Sequence, residues 1–299
     1  IFKTKIHSYR DLPLRWAELG TVYRYEKAGV LHGLLRVRGF TQDDAHLFCT
    51  PEQMPSEIKK VLDFSLYILR SFGFNQFTVY LSTKPKDAIG KLSKWNDATK
   101  ALEKAIKSAK LPYQIDKGGG AFYGPKIDIK IKDALGREWQ CSTIQFDFNM
   151  PEKFQMKYID KNGKPQQPYM IHRALMGSLE RFFGTLIEHY AGAFPFWLMS
   201  TQIKLLPVNN KFSPFAYALK EKLEAEDFRV EIDNDNETIS KRIRNAEMEK
   251  IPYSIVLGQK EIDSGKLPIR ERFNDEIKFL SMEEFIEICK NQIPKPQKI

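Results

Sequence analysis

Between Tyr23 and His46 the chain gathers Arg24, Glu26, Arg36, Arg38, Gln42, Asp43, Asp44 and His46 within 24 residues. A guanidinium offers a planar fork of donors that matches phosphate or carboxylate oxygens, so arginines held on a sheet suit a bound polyanion. The plainer alternative is a hairpin whose charges are simply solvated. Two histidines, His46 and His172, each stand at the edge of an expected element, and Cys49 follows His46 by three residues. Two imidazoles and a thiolate would suit zinc with one position left open. Isolated histidines are more often structural, however, and Cys49 beside Phe48 reads as a small buried hydrophobe. Gln140, Thr143 and Gln145 share one run, with Tyr123 and Lys126 just after a glycine stretch, a set able to hydrogen-bond a small polar substrate. Ordinary strand polarity would give the same pattern. Further along, Asn236, Arg244, Glu261 and Arg270 come from separate elements, and each alone reads as a surface residue.

Alternation around the first cluster predicts two antiparallel strands joined by a polar loop, Lys27 to Gly33, with Arg36 and Arg38 on one face of the second strand. Apolar spacing predicts helices over Pro51–Phe72, ended by Gly73, and over Trp95–Ala109. Ile127, Ile129 and Ile131 alternate with Asp128, Lys130 and Lys132 as a half-buried strand, and Glu138–Phe148 returns beside it. A helix is expected from His172 or Arg173 to Tyr190, carrying Gly177, Ser178 and Arg181. There the glycine would let a flat ligand approach, or else permit a close helix–sheet contact. The glycine run Gly118–Gly120 is no phosphate loop, because no Gly-Lys-Ser/Thr follows it. The first part therefore reads as antiparallel strands with helices packed against them. After Pro195 the order strand-helix-strand-helix-strand predicts a small α/β domain with a mostly parallel sheet. The boundary falls near Trp197–Thr201, giving domains 1–198 and 199–299.

At 299 residues with 42% hydrophobic content the chain is long enough for two globular domains. A formal charge of +9 favours an acidic partner such as nucleic acid or nucleotide. The three cysteines, Cys49, Cys141 and Cys289, are widely spaced, which argues against a disulfide framework and for a reducing, cytoplasmic setting. No apolar run is long enough to span a membrane, and no signal peptide is visible. The first residue is Ile1 rather than Met, so upstream sequence is expected.

Several stretches together resemble the threonyl-tRNA synthetase family of class II aminoacyl-tRNA synthetases. RDLPLRWAELGTVYRYEKAGVLHGLLRVRGFTQDDAH is similar to the family's motif 2 region, FYGPKIDI with QCSTIQFDF to its substrate-site strands, and HRALMGSLERFFGTLIEHYAG to its motif 3. The resemblance runs through the whole chain. It implies an α+β fold: the class II antiparallel sheet with flanking helices, followed by a small α/β anticodon-binding domain. The activity implied is activation of threonine with ATP and transfer to the 3′ end of tRNA(Thr), in the cytoplasm, by a homodimer with no membrane association.

By that resemblance Arg24 holds the α-phosphate of ATP and the amino-acid carboxylate, Glu26 lies near the adenine, and Arg36 and Arg181 bind the outer phosphates. Gln140 and Thr143 join the ATP set. Gln42, Asp44, Tyr123, Lys126, Gln145 and Ser178 surround threonine. His46 and His172 match two of the family's three zinc ligands, and Mg²⁺ accompanies ATP. Asn236, Arg244, Glu261 and Arg270 match positions that meet the anticodon. The third zinc ligand (a cysteine), the dimer-forming motif 1 and the editing domain all precede, in that family, the point where this sequence starts. These residues alone, if active, are therefore expected to misacylate tRNA with serine, which differs from threonine by one methyl group. A synthetase-derived RNA-binding protein without catalysis, or another class II synthetase, are the competing readings.

Overall fold

A computed structural model describes residues 1–296. The chain divides into two compact units, 1–189 and 190–296. The first contains strands β1 (His7–Ser8), β2 (Leu14–Tyr23), β3 (Gly39–Cys49), β4 (Phe77–Ser82), β5 (Tyr113–Asp116), β6 (Lys126–Lys132), β7 (Glu138–Asp147), β8 (Tyr158–Ile159), β9 (Pro165–Gln166) and β10 (Tyr169–Ser178). Its helices are α1 (Met54–Ser71), α2 (Leu92–Ser108), α3 (Asn149–Lys153) and α4 (Leu179–Tyr190). Seven strands form one sheet in the order β2-β3-β10-β7-β6-β4-β5, and every pairing is antiparallel except β4 with β5. β1, β8 and β9 make a small separate sheet.

Strand alternation gives the large sheet two chemically different faces. Leu47, Val79, Leu81, Ile127, Ile129, Ile131, Ile144 and Ile171 are all buried on one side, where α1 and α2 pack. Their neighbours in sequence point the other way, and these include Gln42, Asp44, His46, Lys126, Asp128, Thr143, Gln145 and His172. The apolar half of the alternation anchors the sheet and leaves the polar half free to build a site. α1 starts with Pro55 in its first turn and is followed by Gly73, whose φ of 86° lies in the left-handed region that favours glycine.

The segment around His172 departs from expectation. Tyr169–Ser178 is a strand, β10, and only Leu179–Tyr190 is helical, so His172, Gly177 and Ser178 lie on the sheet and only Arg181 lies on the helix. The run Met170–Met176, apolar except for His172 and Arg173, fits a helix or a central strand equally well by periodicity. Pairing to β3 on one side and β7 on the other decides for the strand. The hairpin also differs. β2 ends at Tyr23 and β3 begins at Gly39, so Arg36 and Arg38 lie in the connection rather than on a strand face. Both turn back to Glu26: the Arg36 guanidinium to its carboxylate at 3.0 Å, and Arg38 Nε to its main-chain oxygen at 3.0 Å.

The second unit contains β11 (Ile203–Pro207), α5 (Ser213–Glu224), β12 (Val230–Ile232), α6 (Ile239–Met248), β13 (Tyr253–Leu257), α7 (Gln259–Ser264), β14 (Leu267–Glu271), β15 (Ile277–Leu280) and α8 (Met282–Asn291). Its sheet order is β12-β11-β13-β14-β15, parallel across the first three strands and antiparallel across the last two. The mostly parallel expectation missed β14, β15 and α7, whose short runs carry little periodic signal. A core of Ile203, Leu205, Leu219, Leu223, Phe228, Ile255, Leu257, Ile269 and Phe285 holds the unit together. Ser281 and Glu284 cap α8 reciprocally, at 3.2 and 2.8 Å.

Candidate active site

A cleft of about 640 Å³, open to solvent, lies over the polar face of the large sheet. Arg24, Glu26, Gln42, Gln140, Thr143, Ser178 and Arg181 line it, with Leu35, Val37, Phe40 and Gly177 between them. Arg24 lies over the Phe40 ring at 5.1 Å, a cation–π contact that supports its guanidinium. Arg181 donates from Nε to the Leu35 carbonyl at 2.8 Å and from Nη1 to the Gln140 carbonyl at 3.3 Å, and it rests on Trp139 at 5.3 Å. Burial lowers the Arg181 pKa, and the neighbouring charges of Arg36 and Arg24 push it the same way. Positive groups that oppose one another around a cleft favour an anionic ligand, which relieves their repulsion.

The β3–β10 ladder breaks at this cleft. Ala174 faces Asp44 and Ser178 faces Gln42, so four steps on β10 oppose two on β3. Two carboxylates fill the gap. Asp43 accepts the N–H groups of Leu175 (2.8 Å), Met176 (3.0 Å) and Gly177 (2.9 Å). Glu180 accepts the Thr41 N–H at 2.9 Å and the Ser178 hydroxyl at 3.1 Å. Burial raises the Asp43 pKa, while those three N–H groups and Arg173 pull it back down. Ser178 Oγ in turn accepts the Arg181 N–H at 3.2 Å, so the bulge feeds directly into the helix that carries Arg181.

Beside the cleft, His46 and His172 face one another in register across β3 and β10, with ring centroids 4.7 Å apart at 77°. His172 Nε2 lies 3.0 Å from Asp147, and His46 Nε2 lies 4.0 Å from Asp44. Burial lowers the His46 pKa, with His172 adding to the effect. A neutral imidazole keeps a lone pair for a metal. Gln145 pairs in register with His172, its Oε1 accepts the Tyr123 hydroxyl at 2.9 Å, and Tyr123 packs edge-on to His172 at 5.7 Å. Burial, then Asp147 and Asp44, raise the Tyr123 pKa and keep the phenol a donor. Among the described residues no group of three or more His, Cys, Asp or Glu side chains is placed to hold a metal ion. The pair His46 and His172 supplies two nitrogen donors of the right chemistry for zinc, with Asp147 orienting one of them. Cys49 is fully buried and takes no part, its thiol pushed up to about 12 by burial.

Asp128 is the residue that sequence reasoning passed over, assigned only as one polar position in an alternating strand. It is 3% exposed and collects Lys126, Ser82, Gln140 and Thr143 around its carboxylate. Its parity with Lys126 was visible in the sequence, but the depth of that face beneath a cleft was not. Gln140 and Thr143, out of phase by strict alternation, share a face because β7 bulges opposite Ile129–Lys130.

In the second unit Asn236 is exposed in the turn after β12, and Arg244 is exposed on α6. Arg270 lies on β14 opposite Ser254. Glu261 has a structural task, accepting the Gly258 N–H at 2.8 Å at the start of α7. Arg242, which the sequence did not single out, is 3% exposed. It binds Asp233 at 3.0 Å and the Pro207 carbonyl at 2.8 Å, tying the Asn236 turn to the end of β11.

Comparison with known proteins places these features in a family. Residues 1–190 match the tRNA synthetase class II core domain (G, H, P, S and T), and residues 202–292 match the anticodon binding domain. A threonine--tRNA ligase of Sulfurihydrogenibium sp. is 54% identical over 98% of this chain and 46% of its own length. That of Borrelia hermsii is 53% identical over 98% of this chain and 50% of its own. The chain thus spans about half the length of the curated relatives it matches. The crystal structure of the RNA binding domain of threonyl-tRNA synthetase from Cryptosporidium parvum superposes with a TM-score of 0.90 at 39% identity, over 99% of this chain and 74% of that one. The putative threonyl-tRNA synthetase ThrRS-1 of Aeropyrum pernix gives 0.76 at 29% identity, over 94% and 69%. By sequence and by fold, the chain belongs to the threonyl-tRNA synthetase family of class II aminoacyl-tRNA synthetases.

Proposed function

We propose that this chain forms the catalytic core (1–198) and the anticodon-binding domain (199–299) of a cytoplasmic, homodimeric threonine--tRNA ligase. The enzyme activates L-threonine with ATP to threonyl-adenylate and passes it to the 3′ end of tRNA(Thr). The observation that carries this reading is the meeting of Arg24 and Arg181 in one cleft beside the Asp44–His46–His172 cluster.

Activation is an in-line attack of a carboxylate on the α-phosphorus of ATP, so two anions must approach. Arg24 neutralises both, holding the α-phosphate and the threonine carboxylate in line. Arg36 and Arg181 take the outer phosphates and Glu26 meets the adenine; Mg²⁺ bound with ATP would share the phosphate charge. Gln42, Asp44, Tyr123, Lys126, Gln145 and Ser178 surround the amino acid, and Gln140 and Thr143 the nucleotide. His46 and His172 would hold zinc with a third ligand from upstream sequence. Held there, zinc would offer ligation to the amino and hydroxyl groups; valine lacks the hydroxyl, and an apolar pocket alone would separate such isosteres only about 100-fold. Asp44 accepts the threonine hydroxyl proton and adds to the rejection of valine. Asn236, Arg244, Glu261 and Arg270 meet unpaired anticodon bases, whose edges offer hydrogen bonds.

Threonine-dependent exchange of pyrophosphate into ATP by the full-length protein tests the reading. Exchange with threonine and loss of it in Arg181→Ala are expected. No exchange, with tRNA binding retained, would leave an RNA-binding relative instead.

A further inference from the structure

A carboxylate only accepts hydrogen bonds, so the groups around Asp128 are fixed in orientation as well as in place. Oδ2 receives Lys126 Nζ at 2.8 Å and the Ser82 hydroxyl at 3.0 Å. Oδ1 receives Gln140 Nε2 at 2.7 Å and the Thr143 hydroxyl at 3.0 Å. Gln140 Nε2 also donates to Thr143 Oγ1 at 2.6 Å. Both amide protons of Gln140 and the hydroxyl proton of Thr143 are therefore committed below the cleft floor. Gln140 and Thr143 line the cleft, and acceptor lone pairs are what they have left to offer it.

We infer that Asp128 is a positioning residue that sets the polarity of this wall, turning Gln140 Oε1 toward the ligand so that the wall takes a hydrogen-bond donor. The inference rests on the proposed ATP and threonine site and adds a division of labour to it. The arginine end takes the anionic part of the bound substrates, and the Gln140–Thr143 wall takes an O–H or N–H group. Two parts of those substrates carry such donors, the ribose hydroxyls of the nucleotide and the ammonium of the amino acid.

The test is a donor–acceptor exchange in the full-length protein, read as KM and kcat for pyrophosphate exchange. Gln140→Glu sets two carboxylates against one another, and Asp128→Asn must turn its NH2 toward either the Lys126–Ser82 donors or the Gln140–Thr143 donors; each is expected to raise KM for the donor-bearing substrate about ten- to a hundredfold. In the double variant the amide and carboxylate trade places, and KM is expected to recover at least about fivefold over the worse single variant, the non-additivity of a contacting pair. Losses that merely multiply, or an unchanged KM in Asp128→Asn, would overturn the inference. Ser82→Ala removes a donor from the same carboxylate without lining the cleft. It should lower the melting temperature and leave KM alone, whereas a shared rise in KM would show that Asp128 acts on stability only. The arms separate the two donors. If the wall reads ribose, wild type discriminates against 2′- or 3′-deoxy-ATP and Asp128→Asn does not. If it reads the ammonium, KM for threonine moves instead. Binding of ATP and of threonine measured by calorimetry separates the two levels of failure. A wild type that binds both without exchange, and still weakens in Asp128→Asn, overturns the proposed reaction and supports the role of Asp128. One that binds neither overturns both.

Discussion

Gly177 sits so close to the Cys141 main chain that a Cβ built on it would lie 2.9 Å from the Cys141 carbonyl oxygen, and its φ is +74°. Both facts require glycine. Gly177→Ala would combine left-handed strain of about 1–3 kcal/mol with a clash against backbone that cannot move aside. The expected outcome is a lowered urea midpoint and a large loss of ATP binding, since the next residues carry Ser178 and Arg181. A variant with wild-type stability and binding would show that the close approach is not needed.

Asp43 replaces the missing ladder of β3 and β10. Asp43→Ala leaves the N–H groups of Leu175, Met176 and Gly177 without their acceptor, the first of them buried, and should destabilise by about 3 kcal/mol. Equilibrium unfolding in urea measures it, and a shift within about 0.5 kcal/mol would contradict the account.

His46→Ala should strip zinc from the full-length protein as purified, because it removes one of two facing imidazoles. Metal content by atomic absorption decides. Undiminished zinc would mean that the His46–His172 pair is not the site.

Asp133 closes the turn between β6 and β7, accepting Arg137 Nε at 2.6 Å and Trp139 Nε1 at 2.8 Å. Burial works against its ionisation, yet the Trp139 and Arg137 donors hold its carboxyl below the ordinary range. Its folded pKa therefore lies under the unfolded value of about 3.9, and the stability it contributes is full above that value and lost as pH falls through the folded one. Asp133→Asn should melt lower than wild type at pH 7, with the gap narrowing toward pH 2. A gap that widens on acidification would reverse the sign. Trp139 also lies under Arg181, so the same variant is expected to loosen the cleft.

Arg242→Ala would leave the buried Asp233 carboxylate uncompensated, a loss of about 3–5 kcal/mol. Weaker binding of tRNA is expected with it, because the Asn236 turn loses its tie to β11. Filter binding at fixed salt checks this, and unchanged affinity would remove Arg242 from any part in the RNA contact.

The sequence alone determined the antiparallel class of the first unit, the strands from Phe77 and Lys126, the helices α1 and α2, the burial of Cys49 and the family resemblance. Local periodicity and rare motifs carry that information. It did not determine that His172 lies on a strand, because a short, mostly apolar run between two neighbours looks the same as a helix until its partners are known. Nor did it reveal the break that Asp43 and Glu180 span, the bulge that brings Gln140 beside Thr143, or Asp128 beneath them. Those are pairings between residues up to 139 positions apart, as with Thr41 and Glu180, and register fixes them, not composition. Tertiary structure decided which polar face lies under the cleft. The strands that build that face come from distant parts of the chain.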